Sequence, residues 1–108
     1  MTTISESIKD NTYELILDGH ANYDKEGRDI VCAAISILAF SLLDTLREAH
    51  ENKKVEALIC TFKEGYIRIC CKVTDKSMYE AIKVAHKGFV RLAENYEKYV
   101  IYSPKGNA

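Results

Sequence analysis

The chain has 108 residues, of which 47% are hydrophobic and 29% charged, enough for one domain with a core and a solvated surface. Its 15 Lys and Arg nearly balance 16 Asp and Glu, so there is no excess positive field to hold phosphates or anionic lipid, and no direct nucleic-acid binding is expected. Five glycines, one proline and no low-complexity segment exclude a collagen-like rod, a disordered linker and a repeat array, so residues 1–108 read as a single domain.

Met1 to Glu6 carry neither a basic start nor the apolar stretch of a secretory signal, and a cytoplasmic location is expected. Residues 2–9 and 12–18 flank Asp10-Asn11, a pair suited to a tight turn with positive φ, which predicts a β-hairpin. In its second strand Tyr13, Leu15 and Leu17 alternate with Glu14, Ile16 and Asp18, so one face is clearly apolar. The strand stops at Gly19, and the polar, aperiodic stretch from Ala21 to Arg28 predicts an exposed loop.

From Asp29 to about His50 the pattern is helical, with Asp29 as N-cap and Arg47 and His50 at the negative pole of the helix dipole. Apolar residues surround its first half (Ile30, Val31, Ala34, Ile35, Ile37, Leu38, Phe40) and form a stripe later, so the N-terminal half is expected to be buried. The uncharged run from Ile30 to Leu43 is 14 residues long, whereas a membrane span needs roughly 20, so a core helix and no membrane association are expected.

Residues 55–63 and 66–74 predict a second hairpin around Glu64-Gly65, pairing Phe62 with Ile67, Cys60 with Ile69 and Leu58 with Cys71. A last helix opens on Ser77-x-x-Glu80, a capping box, and carries Met78, Ile82, Ala85, Phe89, Leu92 and Tyr96 along one stripe. The tail from Tyr96 to Tyr102 either closes the core or offers aromatic stacking to RNA. The order ββαββα predicts a two-layer α+β domain with a hairpin-built sheet and two main helices. A helix apolar all round in so small a domain needs cover on two sides, and a second copy of the chain is one source of it, so a homodimer is expected.

The candidate chemistry lies at the hinge between the first hairpin and the first helix. Gly19-His20-Ala21 is followed, twelve positions after the histidine, by Cys32. With Asp29 as N-cap, Cys32 is the third helical residue, where unsatisfied backbone N–H groups and the positive dipole end stabilise a thiolate. A loop that returns the chain beside the strand end brings imidazole and sulfur together as base and nucleophile, a chemistry that needs no metal or cofactor. The competing reading is that a lone cysteine in an apolar helix serves as a small buried hydrophobe. Cys60, Cys70 and Cys71 lack Cys-x-x-Cys spacing and read as packing residues, with Cys60 and Cys71 inward and Cys70 on the opposite face. His50 and His86 have no partner at metal-site spacing and are expected to be noncatalytic.

The residues Gly19-His20-Ala21, Gly27, Asp29 through Ala34 and Ser36 resemble the signature of the Prp family, the ribosomal-processing cysteine proteases of bacteria. The resemblance implies a cysteine endopeptidase that removes the short apolar N-terminal extension of large-subunit ribosomal protein number twenty-seven. It further implies Cys32 as nucleophile, His20 as general base, a homodimer, and a mobile loop over residues 21–28. The partner would be the ribosomal protein precursor with its leader. Gly19 is open to two explanations, clearance for a substrate backbone or positive φ at the strand end. Asp29 either orients His20 or caps the helix, and capping is favoured because a carboxylate facing the thiolate opposes its ionisation. Ser36, one turn after Cys32, either lines the site or bonds back to the Cys32 carbonyl. Two rivals stand beside this reading: a noncatalytic, ribosome-associated dimeric adaptor, and a prophage-type homologue that processes a virion protein. The intact histidine and cysteine favour the enzyme.

Overall fold

Asp10 and Asn11 take φ of 51° and 65°, values that suit a two-residue hairpin turn, and they join β1 (Thr2–Lys9) to β2 (Thr12–Asp18) with Lys9 paired to Thr12. The computed structural model describes residues 1–104. The chain continues through α1 (Ile30–Glu51), β3 (Val55–Lys63), β4 (Tyr66–Val73), α2 (Met78–Asn95) and β5 (Val100–Pro104). The strands form one sheet in the order β3-β4-β2-β1-β5, antiparallel except where β5 runs parallel to β1. The expected ββαββα order is therefore extended by a fifth strand in the tail. A parallel strand of five residues has no hairpin turn to announce it and forms only because α2 returns the chain beside β1.

The second hairpin pairs Phe62 with Ile67 and Cys60 with Ile69, as the pattern predicts, but the expected Leu58–Cys71 pair does not form. The register shifts between Glu56 and Ile59, and Ala57 takes φ of 52°. This β-bulge, on the edge strand, inserts a residue that hydrophobic alternation does not register.

Both helices pack on one face of the sheet. The core joins Ile4, Tyr13, Leu15 and Ile69 from the strands, Val31, Ile35, Leu42 and Leu46 from α1, and Ile82 and Phe89 from α2. The expectation that the N-terminal half of α1 is buried is not met. Its buried positions form one stripe along the whole helix, while Ile30 and Ile37 are 56% and 65% exposed. The sheet and α2 reach only one side of α1, which leaves the other side apolar and uncovered. By length and composition α1 would be long enough to cross a membrane, yet one face of it is part of this core. At α2 the expected capping box is also replaced: Ser77 is already helical and its side chain makes no cap, while its N–H donates to Asp75 Oδ1 at 2.9 Å.

Glu6 projects from β1 into the core and is only 6% exposed. It accepts hydrogen bonds from the Tyr13 hydroxyl at 2.5 Å and the Tyr102 hydroxyl at 3.0 Å, and it contacts His86 Nδ1 at 2.9 Å. One carboxylate thus ties β1 to β2, β5 and α2. Burial, followed by the Glu6 charge and hydrogen bond, pushes the Tyr13 hydroxyl far above its ordinary ionisation range and keeps it a donor. Tyr13→Phe is expected to lower the unfolding free energy by about 1.5–3 kcal/mol, because the lost bond is to a buried charge. Urea denaturation checks this, and an unchanged midpoint would show that the bond contributes nothing.

Candidate active site

Gly19 ends β2 with φ of 94°. Its N–H donates to the Gly65 carbonyl at 2.8 Å, and its own carbonyl accepts from Thr2 Oγ1 at 2.9 Å. A Cβ at Gly19 would run into the Met1 carbonyl oxygen. The glycine therefore answers to positive φ and to close packing within the chain. His20 follows, its carbonyl bonded to the Met1 amino group at 2.6 Å and its side chain at the surface.

The loop then returns to α1 through Asp29, the N-cap, with φ of −82° and ψ of 98°. Asp29 Oδ1 accepts the Cys32 N–H and Oδ2 accepts the Tyr23 N–H, each at 2.9 Å. Burial penalises its charge, but the accepted N–H groups, first of Cys32 and Tyr23 and then of Asp24 and Val31, outweigh that and hold its carboxyl below the ordinary 3.8. Asp29 is thus a cap that also ties the loop to the helix. Tyr23 packs edge-on against Tyr96 and Tyr99, with ring centroids 5.7 and 5.1 Å away, so the loop also rests on the end of α2.

Cys32 is half-buried at the third position of α1. Contrary to the expectation of unsatisfied N–H groups at this helix start, the N–H of Cys32 itself is occupied by Asp29. Cys32 and His20 line two adjoining cavities, of about 410 and about 500 Å³. Among the described residues no hydrogen bond links the thiol to the imidazole. The first cavity has an apolar wall of Leu17, Ile35, Phe40, Phe62 and Ile67, and Ser36 borders it. The second is lined by Asp24, Glu26, Asp29 and Glu64. The walls contributed by Phe62, Glu64 and Gly65 are not legible in the sequence, since nothing in a hairpin 30 or more positions beyond Cys32 marks it as facing the cleft, and Phe40 reads only as part of the apolar surface of α1. The other thiols differ in setting. Cys71 is buried and its thiol is pushed up to about 11 by burial and then by Cys70, while Cys60 and Cys70 are half-buried. Among the described residues no three His, Cys, Asp or Glu side chains converge as a metal site.

A thiol at a helix start, a histidine just beyond the preceding strand and an apolar groove beside both are residue types and an arrangement that a cysteine protease can use. The chain belongs to the family of cysteine protease Prp, which it matches over residues 1–101. Its fold is similar to that of the essential ribosomal processing protease Prp from S. aureus in complex with a covalently linked product peptide. That similarity has a TM-score of 0.76 and 21% identity and covers 97% of this chain and 100% of the other. The same S. aureus protease with a substrate peptide gives a TM-score of 0.69 at 22% identity, over 97% of this chain and 100% of that one. A protein from Streptococcus mutans gives 0.72 at 24% identity, over 96% of this chain and 93% of that one. No curated protein matches.

The Asp29 geometry yields a stability prediction. Asp29→Ala is expected to cost about 1 kcal/mol through the lost cap. Because the folded carboxyl ionises below its unfolded value, this contribution is complete above the ordinary carboxyl range and is lost as pH falls through the folded value. Thermal melts of the native protein and Asp29→Ala, compared from neutral to strongly acidic pH, should therefore converge in acid.

Proposed function

We propose that the chain is an endopeptidase that removes the apolar N-terminal extension of large-subunit ribosomal protein number twenty-seven, with Cys32 as nucleophile and His20 as general base and acid. The observation that carries this reading is that both residues line one cleft whose other wall is apolar. An extended leader peptide can lay its apolar side chains against Phe40, Phe62 and Ile35 and present a carbonyl to the sulfur. Membership of the protease family and the described role of the S. aureus relative support the same substrate class.

In the first step the thiolate attacks the scissile carbonyl, and the imidazolium gives its proton to the leaving amine as the thioester forms. In the second, the neutral imidazole takes a proton from water, whose oxygen attacks the thioester and displaces the thiolate, releasing the leader acid and restoring the thiolate and imidazolium. The thiol and imidazole come into hydrogen-bond reach when substrate fills the cleft, as catalytic pairs commonly do. Gly19 holds the His20 backbone, Asp29 holds the start of the nucleophile's helix, and Ser36 borders the groove one turn after Cys32. The protease acts in the cytoplasm as a homodimer, a state supported by the uncovered face of α1 at Ile30 and Ile37.

Limiting iodoacetamide should label Cys32 first and Cys71 last, since Cys71 is buried and its thiol ionises only near 11. Mass mapping checks the order, and first labelling at Cys60, Cys70 or Cys71 would refute the nucleophile assignment. His20→Ala should lower cleavage of an apolar leader peptide by about 10²–10⁴-fold while the thermal midpoint holds, since the side chain lies at the surface. Cys32→Ala should bind that peptide without cutting it. A variant lacking Cys32 that still cleaves would sink the reading.

A further inference from the structure

Gly65 is the second residue of the β3–β4 turn, which is closed by the Lys63–Tyr66 pair, and it has φ of 70°. Its carbonyl accepts the Gly19 N–H at 2.8 Å, so the residue beside His20 is bonded to the turn. The side of Gly65 that would carry a side chain faces the imidazole. A Cβ there would lie 3.0 Å from His20 Nε2, 3.3 Å from Cδ2 and 3.5 Å from Cε1. Carbon atoms at rest sit roughly 3.5–4.0 Å apart, so the ring lies against bare backbone, too close for a methyl group unless the ring shifts. Positive φ alone would also admit Asn, but any Cβ here presses on the ring, which must give by a few tenths of an ångström.

Resting on the reading of His20 given above, we propose that Gly65 is a positioning residue for the general base. The turn fixes the backbone at Gly19 by a hydrogen bond and bounds the imidazole on one side, setting the ring's place in the cleft it shares with Cys32. A side chain at position 65 displaces the ring by a few tenths of an ångström or more, and proton transfer falls steeply with such displacement. A hairpin far from the motif thereby acts on the reaction through the His20 ring.

Gly65→Asn tests the contact with little backbone strain, and Gly65→Ala accompanies it. With the full chain and a fluorogenic apolar leader peptide, both should lose about tenfold or more in kcat while KM changes by less than about threefold. The pH profile of kcat and the His20 ring resonances should shift with it. His20→Ala reports separately on the underlying reading: if that variant stays active, the base assignment falls whatever Gly65 does. If His20→Ala is inactive, the positioning role is wrong when folded Gly65→Asn keeps kcat within about twofold. It is equally wrong when kcat falls but the pH profile and His20 resonances do not move. If both glycine variants melt below the assay temperature, the native protein decides. Nuclear Overhauser contacts between the Gly65 α-protons and the His20 ring support the proposal, and their absence overturns it.

Discussion

The left-handed backbone at Gly19, with φ of 94°, is the constraint on which the site depends. There the chain leaves the sheet, and its hydrogen bonds to Gly65 and Thr2 join the end of β2 to the β3–β4 turn and the start of β1. An L-residue would meet a conformational cost of roughly 1–2 kcal/mol and a collision with the Met1 carbonyl as well. His20 inherits its position from this junction. The imidazole is an exposed side chain on a backbone held from two directions, which is how a surface residue acquires a defined place.

Asp29 performs the corresponding task for Cys32. One carboxylate oxygen caps the start of the helix through the Cys32 N–H and the other holds Tyr23, so the loop between His20 and Cys32 is fastened where it enters α1. Its other support is the packing of Tyr23 on Tyr96 and Tyr99, an aromatic contact without a hydrogen bond. Such contacts are worth about 0.5–1.5 kcal/mol beyond area burial, enough to favour one loop position and little enough to be exchanged for contacts with a peptide. Capping has a consequence for chemistry, because the carboxylate that organises the helix start also occupies the Cys32 N–H.

At the other end of β1 the sheet contains a charge. A buried carboxylate without partners would cost several kcal/mol, and Glu6 is tolerated because groups from β2, β5 and α2 surround it. The partners lie 7, 80 and 96 residues away in the chain, so the cluster exists only in the assembled fold and rewards the correct docking of α2 and β5. On the opposite, open face, Arg68 pairs with Glu14 at 2.8 Å across β4 and β2, a half-exposed bond of lesser weight. The domain thus combines a polar clamp within β1 with the cleft lined by His20 and Cys32 near the start of that strand.

What the sequence determined by itself was local: the turn at Asp10-Asn11, the cap at Asp29, the alternation of Tyr13, Leu15 and Leu17, and the stripe of α2 are each written in residues a few positions apart. That His20 and Cys32 come to border one cleft was legible too, because a strand end, a short loop and a helix start leave the chain few ways to turn. Tertiary structure alone decided the rest. The bulge at Ala57 cancelled the Leu58–Cys71 pair, since alternation counts residues and a bulge adds one. Strand β5 formed only where α2 delivered it, and His86 found its partner in Glu6, 80 positions away. The exposure of Ile37 followed from the sheet and α2 covering one side of α1, and the approach of Gly65 to His20 from a hairpin folding back over the cleft. Periodicity reports which face of an element is apolar, but only packing determines what that face meets.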